Sequence, residues 1–137
     1  MSWQDFVDKG LLEGGIIREA AIFGIDGGIW AQSAGCNISE DEQRAIVDGL
    51  NDPPLREIRV GGRKYRCTMS SLDVILSKSA LVVESDDRSR SGGGVGGCII
   101  KKTNQAVIVA EYPPKSSEMD VLAGVEQLGN YLIRNNY

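Results

Sequence analysis

The chain reads as an α+β domain, a mostly antiparallel sheet with helices over its faces, and three observations carry that reading. Apolar strand segments are joined by tight turn signals at Asp26-Gly27-Gly28, Gly61-Gly62 and Thr103-Asn104. Helical patterns open behind serine caps at Ser2, Ser39 and Ser117. The order is helix, hairpin, helix, several strands, helix, which suits terminal helices lying side by side on one sheet face.

Ser2 caps the first helix with Asp5 at the reciprocal position, and Gly14-Gly15 stops it. Ala20 to Ile25 is a buried strand, and Ile29-Trp30-Ala31-Gln32-Ser33 returns after the turn. Ser39-Glu40-Asp41-Glu42 is a capping box for a second helix, whose Ala45, Ile46 and Leu50 form an apolar stripe before Asp52-Pro53-Pro54 ends it. Strands follow at Glu57 to Val60 and Arg63 to Met69, with apolar runs at Val74 to Leu76 and Ala80 to Ser85. Cys98 to Lys102 and Gln105 to Tyr112 make the clearest hairpin, broken by Pro113-Pro114. The last helix carries Val121, Leu122, Val125, Leu128 and Leu132 at helical spacing, with Asp120 in its first turn, and runs nearly to Tyr137.

With 137 residues the chain is expected to be one domain, residues 1–137. A hydrophobic content of 42%, with 25% charged residues and no long apolar run, predicts a soluble protein with no membrane span. An odd count of cysteines, Cys36, Cys67 and Cys98, argues against a secreted disulfide framework and for a reducing, cytoplasmic setting. The net charge of −4 disfavours nonspecific attraction to nucleic acid or anionic lipid. Absence of histidine removes the commonest general base and metal ligand, and three distant cysteines do not supply a zinc spacing. No metal, no cofactor and no enzymatic activity are expected.

Aromatic residues concentrate at the two extremities. Trp3 and Phe6 share a helical face, and Tyr131 and Tyr137 occupy the last helix and the end of the sequence. Accessible flat rings suit a polyproline II ligand, which has three residues per turn, no internal hydrogen bonds and little entropy to lose on docking. The indole N–H of Trp3 and the two tyrosine hydroxyls would donate to its carbonyls. The competing explanation is that these rings only seal the contact between the terminal helices.

Five segments in order, spread over nearly the whole chain, resemble the profilin family of actin-monomer and proline-rich-ligand binding proteins. They are Ser2-Trp3-Gln4-Asp5-Phe6-Val7-Asp8, Ala20-Ala21-Ile22 through Asp26-Gly27-Gly28-Ile29-Trp30-Ala31-Gln32-Ser33, Gly61-Gly62-Arg63-Lys64-Tyr65, Gly94 through Ala106, and Val125 through Ile133. The resemblance implies a profilin-like sheet with N- and C-terminal helices on one face and shorter helices on the other. It implies a proline-rich ligand groove at Trp3, Phe6, Trp30, Tyr131 and Tyr137. Relatives often carry Tyr where this chain has Phe6, so a missing hydroxyl bond would cost about 0.5–1.5 kcal/mol and leave a weak, fast-exchanging groove.

Actin contact is implied on the opposite side, formed by later strands and the first part of the last helix. The matching positions are Lys64, Arg66, Arg88, Arg90, Ala123 and Gln127, with Leu122 and Ala123 standing where some relatives place polar or basic groups. Residues 70–78 read as extra material, a longer hairpin or an arm on that side. The segment Arg88-Ser89-Arg90-Ser91-Gly92-Gly93-Gly94 replaces a lysine cluster, so at most weak phosphoinositide binding is expected, each basic residue near such a surface contributing ~1 kcal/mol. The expected function is actin-monomer binding with delivery to proline-rich filament-assembly factors, in the cytoplasm at the actin cytoskeleton. Two rivals exist. Residues 92–97 formally satisfy G-x-G-x-x-G, but a strand follows where a dinucleotide site needs a helix. A small-ligand sensor or scaffold domain of similar α+β order is the other.

Overall fold

The computed structural model describes residues 2–80 and 96–137. The first helix, α1, begins as an α-turn at Trp3–Asp5 and continues without a break as a wider π-helix over Phe6–Leu12. Ser2 and Asp5 satisfy each other's backbone N–H groups in the expected capping box. Two further helices follow, α2 (Glu40–Asn51) and α3 (Glu118–Arg134). The strands are β1 (Glu19–Gly24), β2 (Ile29–Gln32), β3 (Glu57–Val60), β4 (Arg63–Ser70), β5 (Val74–Ser79), β6 (Gly97–Lys102) and β7 (Ala106–Tyr112).

Among the described residues seven strands form one sheet in the order β2-β1-β7-β6-β5-β4-β3, with each pairing antiparallel. Helices cover both faces of its centre, which explains why β1 and β7 read as continuous apolar runs instead of alternating with polar residues. Ala20, Ile22, Ala106, Ile108 and Ala110 face α1 and α3, whose Val7, Leu11, Val121, Val125, Leu128 and Leu132 complete that core. Ala21, Phe23, Val107 and Val109 face the other way, toward Ile46 and Leu50 of α2. Each fully buried Ile or Leu in these layers contributes about 1.5–3 kcal/mol.

Three sequence expectations change. Ala45 is exposed, and α2 is held instead by Gln43, Ile46, Gly49 and Leu50. Gly49 lets α2 lie close to Leu55, whose terminal methyl groups a Cβ there would displace. Of the two alternatives for residues 70–78, the hairpin holds and the arm does not: β5 is an interior strand, paired with β4 and β6, and Ser71 to Asp73 make the turn from β4. Among the described residues the second face carries a single helix, α2, where shorter helices were expected. The apolar run from Ala80 to Ser85 lies outside the described residues beyond its first residue.

The Gly61-Gly62 turn adopts left-handed backbone, with φ of 60° and 85°, and both N–H groups bond to the Glu42 carboxylate at 2.8 Å. Glu42 thus completes the capping box of α2 and fastens the β3–β4 turn to that helix. Just past the turn, Arg63 reaches the Glu111 carboxylate of β7 with bonds of 2.8 and 3.2 Å to Oε2, and the Tyr65 hydroxyl donates to the same oxygen at 3.1 Å. Glu111 is 1% exposed. Burial pushes its carboxyl above the ordinary range, only partly offset by Arg63.

Replacing Arg63 with leucine leaves that carboxylate buried without a counter-ion and is expected to cost about 3 kcal/mol near neutral pH. A group whose folded-state affinity for protons is raised loses stability as pH rises from its unfolded pKa through its folded one. The deficit of Arg63→Leu should therefore shrink when the pH is lowered from neutral to the ordinary glutamate pKa of about 4.3, which lies below the raised value at which Glu111 takes up its proton. Urea denaturation of both proteins at the two pH values measures it.

Candidate functional site

Packing of α1 against α3 sets the aromatic residues in one place. Trp3 and Phe6 lie on the outward side of α1, at ring-centroid separation 5.4 Å, while Val7 and Leu11 turn into the core. Trp30 projects from β2 to meet Trp3 at 4.6 Å. A register shift in β1–β2 between Ile22 and Phe23 leaves Trp30 outside the paired register, which frees its side chain to turn toward α1. Tyr137 packs edge-on against Trp3 at 5.0 Å, and Tyr131 of α3 lies 5.8 Å from Phe6. These are the centroid separations of attractive tilted and T-shaped pairs.

The structure thus brings together all five rings expected at the groove. The depression beside them has a volume of about 240 Å³ and is lined by Trp3, Phe6, Tyr131, Leu132, Asn135 and Tyr137, while Trp30, packed on Trp3, lies outside that lining. Tyr131 and Tyr137 are 44% and 43% exposed, so part of each ring stays open to solvent. Among the described residues, neither indole N–H of Trp3 and Trp30 nor either hydroxyl of Tyr131 and Tyr137 donates a hydrogen bond to the protein. The groove therefore combines apolar ring faces with unused donors, the pairing that a carbonyl-rich extended ligand needs.

Leu132 and Asn135 were not anticipated as groove residues. Asn135 follows Tyr131 by four residues, so helical spacing alone would have put it on that face. Its side-chain amide donates to the Tyr131 carbonyl at 2.8 Å, closing the end of α3.

The second candidate surface lies where β4 and β5 extend beyond the cover of α3. Tyr65 and Cys67 pack toward α2, so Lys64 and Arg66 emerge together on the α3 side of the sheet. Ala123 and Gln127 are exposed on α3. Nearby lysines are already engaged. Lys101, 7% exposed at its side chain, bridges Asp73 at 3.2 Å and Glu126 at 3.0 Å, tying the β4–β5 turn to the helix. Burial opposes its charge but the two carboxylates outweigh it, so its pKa is raised. Lys78 bonds the Tyr112 hydroxyl at 3.1 Å and lies 3.6 Å from Glu118. By contrast Lys64 has only a loose, exposed contact with Glu57 at 3.9 Å, and Arg66 forms no ion pair among the described residues. Arg88 and Arg90, with the rest of the 88–94 segment, lie outside the described residues.

No catalytic reading survives at the cysteines or the glycine-rich stretch. Cys36, Cys67 and Cys98 are free, and burial pushes Cys36 to about 12, Cys67 to about 11 and Cys98 well above its usual value, so none is a ready nucleophile. Gly97 begins β6, antiparallel to both β5 and β7, which is incompatible with a dinucleotide-binding βαβ unit.

Known proteins share this chain's sequence pattern and fold. The profilin family profile matches residues 1–137. Profilin of Bombyx mori is 35% identical over 140 residues, covering 100% of both chains. The crystallised profilin of Schizosaccharomyces pombe superimposes with a TM-score of 0.84 at 30% identity, covering 99% of this chain and 100% of that one. The fold alone is shared at 19% identity with mouse profilin IIa, solved in complex with a double repeat from the FH1 domain of mDia1 (TM-score 0.76, 100% of both chains). The same holds for LokiProfilin2, solved with rabbit actin, at 19% identity (TM-score 0.73, 94% of this chain and 93% of that one). This chain belongs to the profilin family.

Gly24 gives the groove a test of its own. A Cβ there would stand 3.0 Å from Trp30 Nε1 and 3.2 Å from the Gly27 carbonyl oxygen. Gly24→Ala is expected to displace the Trp30 indole and cost about 1–3 kcal/mol. A shift in tryptophan emission together with a lowered thermal midpoint checks it.

Proposed function

We propose that this chain is an actin-monomer-binding protein that also takes up proline-rich segments, delivers actin to filament-assembly factors and regulates actin polymerisation in the cytoplasm. It acts by binding, without catalysis. The observation that carries this reading is the open cradle of Trp3, Phe6, Trp30, Tyr131 and Tyr137 with its unused donors. It is supported by membership of a family with members solved with a double repeat from an FH1 domain and with actin.

Proline rings stack on the aromatic faces, while indole and phenol donors meet the ligand's carbonyls. Actin is assigned to the other surface, with Lys64 and Arg66 on β4, Ala123 and Gln127 on α3, and Arg88 and Arg90 adding charge. With an alanine at 123, that surface draws its attraction from the strand cations Lys64 and Arg66 and from Arg88 and Arg90, and not from α3 at that position. Phosphoinositide binding is at most weak on this reading. Separate surfaces allow both partners to be held at once, and a short tether then raises the local actin concentration to ~mM.

Passage over immobilised polyproline is expected to retain the protein and to let Trp3→Ala through. Equal retention would remove the groove assignment and favour a small-ligand domain. Phe6→Tyr adds a donor and should tighten proline-oligomer binding about 2- to 10-fold by calorimetry. Reversing Lys64 and Arg66 to glutamate should slow association with actin monomers about tenfold at low salt, with a smaller change in dissociation, when followed by stopped flow.

A further inference from the structure

Tyr137 lies beyond the last turn of α3, yet its ring closes one end of the cradle. Residues at the ends of helices fray unless something ties them down. A single edge-on contact with Trp3 at 5.0 Å does not do that for a side chain that is 43% exposed. The fastening comes from elsewhere. After α3 the chain turns back through Asn136 in left-handed conformation, φ 69°, and the Tyr137 N–H bonds the Leu132 carbonyl at 2.8 Å.

The reversed segment then lies against the turn between β6 and β7. Thr103 Oγ1 donates to the Tyr137 main-chain oxygen at 2.7 Å, and the Gln105 backbone N–H donates to the same atom. Gln105 Nε2 donates to the Asn136 carbonyl at 2.7 Å. Thr103 is itself immobilised: it is 5% exposed, and its hydroxyl accepts the Ala106 N–H at 3.0 Å. The anchor therefore belongs to the rigid hairpin of the sheet.

We propose that Thr103 and Gln105 are positioning residues of the proline-binding groove: they touch no ligand, but fix the backbone of Tyr137 so that its ring is already placed when a proline-rich segment arrives. This rests on the groove reading above. A ring held in place before binding loses less freedom on docking, and release of one such side chain weakens binding about threefold to tenfold.

The test titrates a proline decamer calorimetrically into the parent, Gln105→Ala, Thr103→Val, Thr103→Ser, Tyr137→Ala and Trp3→Ala proteins. Tyr137 ring-proton resonances, shifted by the neighbouring indole, are recorded alongside. Expected are a threefold to tenfold loss for Gln105→Ala and Thr103→Val, no larger than that of Tyr137→Ala, with Tyr137 resonances moving to free-tyrosine values and Thr103→Ser restoring both. A merely structural role would lower the thermal midpoint without altering affinity in the folded protein. Parent-like affinity for Gln105→Ala while Trp3→Ala fails to bind overturns the positioning role and leaves the groove standing. Parent-like affinity for Trp3→Ala overturns the groove and this proposal with it. Should Thr103→Val fail to fold, the exposed Gln105→Ala decides alone.

Discussion

Close approach of the two terminal helices to the middle of the sheet is the constraint from which the rest follows. Beneath them, β1 and β7 present Ala20, Ala106 and Ala110, small side chains that allow α1 and α3 to sit low on the sheet. Val7 and Leu11 from one helix and Val125, Leu128 and Leu132 from the other fill the space between. Once that layer is packed, Trp3 and Phe6 have no room inside and must face outward beside Tyr131. The Trp3 and Phe6 side of the cradle is thus a by-product of core packing, whereas the Tyr137 end depends on its anchor to the β6–β7 turn.

Buried charge has a different task in this molecule. Arg63 with Glu111, and Lys101 with Asp73 and Glu126, each join elements distant in sequence: β4 to β7 in one case, the β4–β5 turn and β6 to α3 in the other. Such pairs gain little net stability over apolar packing because desolvation cancels much of their attraction, but a wrong arrangement would strand a charge. They set register and orientation. They also occupy cations and carboxylates near α3, and Lys64 and Arg66 are left as accessible positive groups on that side of the sheet.

Helix α3 serves both surfaces. Its earlier turns present Ala123 and Gln127 beside the open strands, its last turns carry Tyr131 and lead to Tyr137, and its inner face holds it to β6 and β7. One rigid element therefore relates the two proposed partner sites. A change at either site that shifted α3 as a body would be felt at the other.

Local signals in the sequence were sufficient for much of the architecture. Capping boxes at Ser2 and Ser39, the cap at Ser117, paired glycines at 61 and 62, and the apolar runs of β1 and β7 each act over a few residues, so they can be read without knowing what lies across the fold. Four of the five rings, Trp3, Phe6, Tyr131 and Tyr137, stand out by their place at the two extremities, and segment resemblance added Trp30. Ala45 misled because its apolar character placed it on the stripe, whereas the orientation of α2 was decided by Ile46 and Leu50 reaching the sheet. Glu111 could be noticed as a charge in an apolar strand, but nothing local names Arg63 as its partner. The same is true of Thr103 and Gln105 beneath Tyr137. By itself the sequence determined the elements, their caps and the aromatic inventory, because those depend on short-range chemistry. Only the tertiary structure decided that the rings converge with their donors unspent, which cations stay accessible, and what anchors the last tyrosine, because each depends on residues brought together by a curled sheet from opposite ends of the chain.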